Sequence, residues 1–153
     1  VKIAQLSLFI ENAPGRLVAP CRVLTDAGIN IVTLSLADTG EFGILRLIVD
    51  RCDDAFTALC AAGFVARRAE VIALEVPDRP GGLAEVLEGI DRAGVVIEYM
   101  YAFTYGRDGR AILVFRFGDV DAAIPALQAA GIAVVAPVAL GQHRDPSPAS
   151  RRP

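Results

Sequence analysis

Two short stretches hold the residues of this sequence whose types and spacing best suit recognition chemistry. Glu11–Leu17 reads ENAPGRL and Pro77–Leu83 reads PDRPGGL. Each sits between an alternating apolar run and a helical stripe, so each is a strand-to-helix junction. Pro14-Gly15 and Pro80-Gly81 set tight turns there. A helix start leaves unsatisfied N–H groups and the positive end of the helix dipole facing such a turn, which suits a carboxylate. Asn12 and Asp78 place side-chain oxygens close by, able to accept from an ammonium group. Asn12, Pro14, Gly15, Arg16 and Leu17 thus form one candidate loop, and Asp78, Pro80, Gly81, Gly82 and Leu83 a second. Either loop complements both ends of an amino-acid zwitterion. The same residue types also build plain Asx-turns in which Pro-Gly only turns a corner.

Other chemistries find less to work with. The single histidine, His143, falls in a stretch from Gln142 to Pro153 rich in Pro, Ser and Arg, where no shell orients it. No serine or cysteine has an evident base partner. Glu11 and Glu41 read as surface acids, and Asp53 and Asp121 as helix N-caps. No catalytic residue is assigned, and the chain is read as not an enzyme. Cys21, Cys52 and Cys60 are odd in number and lack C-x-x-C spacing. Cys21 and Cys60 fall on apolar helix stripes, which points to core filling rather than to disulfide or metal chemistry. No metal and no cofactor is expected.

Aromatic pairs raise the question of nucleic acid. Tyr99 and Tyr101, and Phe115 and Phe117, have the spacing that puts both rings on one strand face, as in an RNA-binding sheet. The net charge is −3, and Arg144, Arg151 and Arg152 lie in the tail, so the body is more acidic than the total. That disfavours phosphate. Packing of these rings against a partner module is the expectation. Lining of an aromatic-ligand pocket by Tyr99, Tyr101 and Phe103 is an alternative.

The elements that must position the loops come as a repeat. Glu11–Leu17 maps onto Pro77–Leu83 at a shift of 66 residues, which also carries Ala27-Gly28 onto Ala93-Gly94 and Ile31 onto Ile97. Beyond a two-residue insertion near Tyr105–Gly109 the shift is 68, carrying Asp53 onto Asp121 and Ala62-Gly63 onto Ala130-Gly131. Leu6, Leu8 and Ile10 alternate as in a half-buried strand; Leu17, Cys21 and Leu24 recur as on an amphipathic helix. Ile72, Leu74 and Val76, then Leu83, Leu87 and Ile90, repeat both patterns. Pro20 and Pro125 are placed in first helical turns, where a missing N–H costs little.

The order is strand, helix, strand, strand, helix, strand, twice. The fold class is α+β: two tandem ferredoxin-like βαββαβ modules, with antiparallel sheets and helices on one face. The boundaries are 1–69, 70–140 and a tail over 141–153. Modules of this size are marginal alone and leave one sheet face bare, so pairing of modules and a homodimer or higher oligomer are expected. No apolar run approaches the roughly 18 to 20 residues of a membrane span, and Val1–Glu11 lacks a signal-peptide pattern. No membrane partner is expected, and the expected location is cytoplasmic.

At ENAPGRL…AGINI and PDRPGGL…AGVVI the chain resembles the ACT domain, twice, over roughly Lys2–Pro137. It is similar to stand-alone tandem ACT proteins. The resemblance implies the ferredoxin-like fold, pairing of modules, and amino-acid binding at a module interface that regulates an enzyme. It implies ligand contacts for Asn12 and for Asn30, a second asparagine at the start of the second strand. It also implies backbone groups from Gly15, Arg16 and Leu17, and the same loop roles for Asp78, Gly81, Gly82 and Leu83. Val96 stands where a second Asn30 would be. Many ACT modules serve in assembly alone, so the alternative is an interaction module that binds no ligand and modulates a partner enzyme.

Overall fold

A computed structural model describes residues 1–38, 40–104 and 109–137 of the chain. The tail, with His143, and most of the Tyr105–Gly109 turn lie outside the described residues. The elements run β1 (Ile3–Glu11), α1 (Val18–Asp26), β2 (Ile31–Asp38), β3 (Phe42–Val49), α2 (Cys52–Ala61), β4 (Val65–Pro77), α3 (Gly82–Arg92), β5 (Ile97–Thr104), β6 (Arg110–Phe117), α4 (Val120–Ala129) and β7 (Val134–Val135). The βαββαβ order expected from the repeat is realised twice.

The halves share a strand. Val65–Val71 of β4 pairs with β1, completing the order β2-β3-β1-β4; Ile72–Pro77 pairs with β6, opening the order β4-β6-β5, with β7 on the other side. Every pairing is antiparallel. Strand alternation then sorts the side chains. Leu6, Leu8 and Ile10 of β1, with Leu45 and Leu47 of β3, bury themselves beneath α1 and α2 around Leu24 and Leu59. Ile72, Leu74 and Val76 do the same beneath α3 and α4, around Ile90 and Leu127. Each such fully buried leucine is worth about 1.5–3 kcal/mol.

The opposite faces meet each other. Ile3, Ile48, Val71, Ala73, Phe103, Ile112 and Val114 form a third core that draws on both halves. β2 and β5 stand at the two ends of the strand order yet touch. The sheet therefore folds over on itself about β4, inner faces together and helices outside. Gln5 lies fully buried in this seam, donating to the Tyr99 hydroxyl at 2.8 Å and accepting from the Tyr101 hydroxyl at 2.7 Å. Burial, then the neighbouring Tyr99, pushes the Tyr101 phenol up from its ordinary range.

The tyrosines thus pack on the other half, as expected. Phe115 and Phe117 do not. They stack with centroids 6.0 Å apart, fully buried under the helices of their own half, because β6 turns that face toward α3 and α4.

Local details depart from expectation at helix ends. α4 is capped by Asp119, whose carboxylate accepts from the Ala122 N–H at 3.0 Å, and Asp121 falls in the first turn. Starting there, the helix places Pro125 past its first turn, not within it. α2 begins after Arg51, so Asp53 also sits in the first turn, favourable to the dipole but no cap. Pro20 does lie in the first turn of α1, buried. Cys60 is exposed, on the outer side of α2, whereas Cys52 packs against the first core. Among the described residues no helix is long and apolar enough to cross a membrane.

Candidate functional site

The β1–α1 corner is the place where the first half opens. Ile10, Glu11, Asn12, Ala13, Arg16, Leu17, Leu36 and Gly43 line a cavity of about 230 Å³. That is below the roughly 300–1,000 Å³ of pockets for drug-sized ligands and suits a smaller molecule. The floor is apolar, from Ile10 and Leu36. The polar groups come from the loop.

The corner is held by its own backbone. The Asn12 N–H donates to the Glu41 carbonyl at 2.9 Å, Ala13 to Glu11 at 3.0 Å, Arg16 to Ala13 at 3.2 Å, and Val18 to Gly15 at 3.2 Å. Gly15 adopts φ +80°, a left-handed conformation with which the turn reverses into α1. The Asn12 side-chain amide donates to the Gly40 carbonyl at 3.2 Å, tying the loop to the β2–β3 turn. Among the described residues the N–H groups of Gly15 and Leu17 meet no protein acceptor. Leu17 stands at the N-cap of α1 without a side-chain cap, and no acid occupies the helix's first turn. An anion approaching this end therefore meets the helix dipole uncompensated. Arg16 pairs with Glu11 at 2.7 Å, both side chains more than half exposed. Such a pair is worth little and is readily exchanged for another partner.

The second corner has the same trace and different electrostatics. Asp78 is tied through its N–H to the Gly109 carbonyl at 2.8 Å. Here Glu85 occupies the first turn of α3, and Arg79 clamps it with contacts of 2.8 Å to both oxygens. A resident carboxylate already answers the dipole. Gly82 is buried, and a Cβ added to it would run into the Pro77 carbonyl oxygen. Its glycine character serves close packing of α3 on β4, not access for a ligand. The equivalent position in the first loop holds Arg16.

Asn30 does not join either loop within the chain. Its side-chain amide donates to the Ile31 carbonyl at 3.1 Å, and its N–H donates to the Asp50 carboxylate at 3.1 Å. β1 and β2 are both antiparallel to β3, hence parallel to each other. Asn30 therefore lies at the opposite end of β2 from the corner, roughly 25 Å away at about 3.3 Å per residue. Leu36 and Gly43, which carry no motif in the sequence, line the cavity with Ile10 because β1, β3 and β2 are neighbours. No group of three metal-ligating side chains comes together among the described residues.

The sequence pattern of an ACT domain pair matches residues 1–140, and the chain belongs to the ACT domain family. Members of this family are regulatory domains. Protein BT0572 from Bacteroides thetaiotaomicron is 36% identical, with a TM-score of 0.82, over 91% of this chain and 95% of that one. The ligand-free regulatory subunit of aspartate kinase from Thermus thermophilus is 18% identical, with a TM-score of 0.59, over 83% and 91% of the two chains. The corresponding subunit from Thermus flavus is similar, at 19% identity and a TM-score of 0.58, over 84% and 92%. These last two share the fold. No curated protein matches the chain.

Proposed function

We propose that the chain is a non-catalytic regulatory protein whose first half binds an amino acid or a closely related zwitterion at the β1–α1 corner. The observation that carries this reading is the cavity where Arg16, Asn12 and Leu17 surround an apolar floor. In this reading the ligand carboxylate takes the Arg16 guanidinium and the Leu17 N–H, at the uncapped helix start. The ammonium donates to the Asn12 side-chain oxygen. The ligand side chain lies on Ile10 and Leu36. Pro14 and Gly15 hold the turn. The loop at Asp78, Pro80, Gly81, Gly82 and Leu83 is the weaker site, its dipole already answered by Glu85.

Asn30 enters such a site only from another copy of the chain, so self-association, at least a homodimer, belongs to the reading. β2 ends the strand order, with Leu34 and Leu36 about half exposed beside its open edge. The ligand would act by population shift, favouring the assembly in which its groups are all met. A cytoplasmic setting and a partner enzyme as recipient of the signal complete the proposal. Regulatory subunits of aspartate kinase among the structural neighbours are a precedent for a separate regulatory chain.

A melting screen of the amino acids and simple organic acids tests this. A ligand at ~100 times its Kd adds about 2.7 kcal/mol, and Asn12→Ala or Arg16→Ala removes the shift without unfolding the protein. The second reading, an assembly module without a ligand, is favoured by the exposed leucines along β2. It gains if no compound shifts the melting point of a stable oligomer.

A further inference from the structure

We propose that a second copy of this chain docks on the part of the first half's inner sheet face that the second half leaves bare. This goes beyond ligand binding and stands whether or not the corner binds anything. The inner face of β1 presents Gln5, Ser7, Phe9 and Glu11 in turn. Gln5 is fully buried under the second half, whereas Phe9 is 44% exposed. Between them the second half ends in a step, with the Arg46 guanidinium stacked 3.8 Å from the centre of the Tyr99 ring.

Three rows cross the uncovered face. In the first, Ser7 is flanked by Arg46 on β3 and Arg67 on β4. The second is apolar, with Phe9 between Ile44 and Val65, and in the third Glu11 lies beside Phe42. Phe42 and Val65 are 51% and 63% exposed. Among the described residues neither Arg46 nor Arg67 forms an ion pair, and the buried Nε of Arg46 has no hydrogen-bond partner.

The pattern of cation, apolar and acid rows is self-complementary. A two-fold axis crossing the strands at the Phe9 row reverses the row order, as an isologous interface requires. It lays the apolar row on itself and sets the partner's Glu11 over Ser7, between Arg46 and Arg67. The surface continues, row for row, the face on which the second half already packs. A second sheet docked there occupies the same layer, at the ordinary spacing of about 10 Å between packed sheets. Glu11 is available because its present partner, Arg16, is an exposed side chain on its own corner.

Sedimentation equilibrium of the full chain tests the proposal without any ligand. The wild type is expected to self-associate, and Phe9→Glu to halve its mass while keeping its melting transition. Val65→Glu, at a more exposed position, is expected to do the same and covers the case in which Phe9→Glu does not fold. Arg67→Glu and Glu11→Arg each weaken association, and the double reversal restores it. A wild type that stays monomeric at its highest soluble concentration overturns the proposal. So does unchanged mass in a folded Phe9→Glu or Val65→Glu variant, or failure of the double reversal to recover what the single changes lose.

Discussion

The hydroxyl of Tyr101 donates to Gln5 across the fold, at 2.7 Å, so a side chain of the second half satisfies a fully buried polar side chain of the first. Gln5 in turn donates to Tyr99 at 2.8 Å and to the Ser7 hydroxyl at 3.2 Å. Equivalent positions of the repeat carry no such partners. Gln5 corresponds to Val71, and Tyr99 and Tyr101 to Thr33 and Ser35. The halves have diverged so that each inner face fits the other rather than itself.

Removing one member of that network leaves a buried group unmet. Tyr101→Phe strands the Gln5 carbonyl oxygen and is expected to cost about 1–3 kcal/mol. Replacing both partners, as in Gln5→Leu with Tyr101→Phe, is expected to cost less than the sum of the single changes. Urea unfolding of the four proteins measures the coupling, and strict additivity would show that the contact carries none.

Alkaline pH should act on the same seam. The Tyr101 phenol is raised in the folded protein, chiefly by burial, above its unfolded value of about 10. The unfolded chain then loses this proton first, so stability is intact below about pH 10 and falls as pH rises beyond it. Tyr101→Phe is expected to flatten that fall, as read from melting temperatures between neutral pH and pH 11.

Two glycines of the paired loops are expected to behave differently when given a methyl group. Gly15→Ala meets nothing within 4 Å but must keep φ +80°, a cost of about 1–2 kcal/mol. Gly82→Ala drives its Cβ into the Pro77 carbonyl and is expected to cost about 3 kcal/mol or more, because backbone must move. Thermal unfolding of the two variants gives the ranking directly. Equal losses would mean that α3 is not pinned against β4 as described.

The cap of α4 supplies a further check. Asp119→Ala removes the acceptor of the Ala122 N–H and is expected to cost about 0.5–2 kcal/mol. Asp121→Ala loses an exposed contact with Lys2 at 2.7 Å, itself drawn also to Glu70, and a first-turn carboxylate facing the helix dipole, and should cost less, about 0.3–1 kcal/mol. If Asp121→Ala proved the costlier change, the helix start would be misassigned.

The duplication and its element order were legible because alternation and helical spacing recur at a fixed shift, and tertiary packing had no reason to override them. The corner at Asn12–Leu17 was legible for the same reason: Pro-Gly before an apolar stripe has few other structures. Leu36 and Gly43 were hidden, since they reach the cavity through strand neighbours remote in sequence. The burial of Phe115 and Phe117 was hidden too, because period-2 spacing says that two rings share a face but not which face looks at the helices. The spacing predicts the start of α4 two residues late, because both Asp119 and Asp121 are good caps and only the backbone conformation of Asp119 decides between them. Spacing places Gly81-Gly82 at a turn but does not say what lies beside the pair. Only coordinates reveal that Pro77 fills the space beside Gly82.

One strand, β4, threads both halves without a break, and this ties their parities together. Ala66 in the first half, then Ile72, Leu74 and Val76 in the second, all even-numbered, look toward helices. Inserting a single residue near Val71 would therefore turn one half's greasy side outward while leaving its partner untouched. Engineers who lengthen the joint can add residues in pairs, or else break the strand and let the halves find each other afresh.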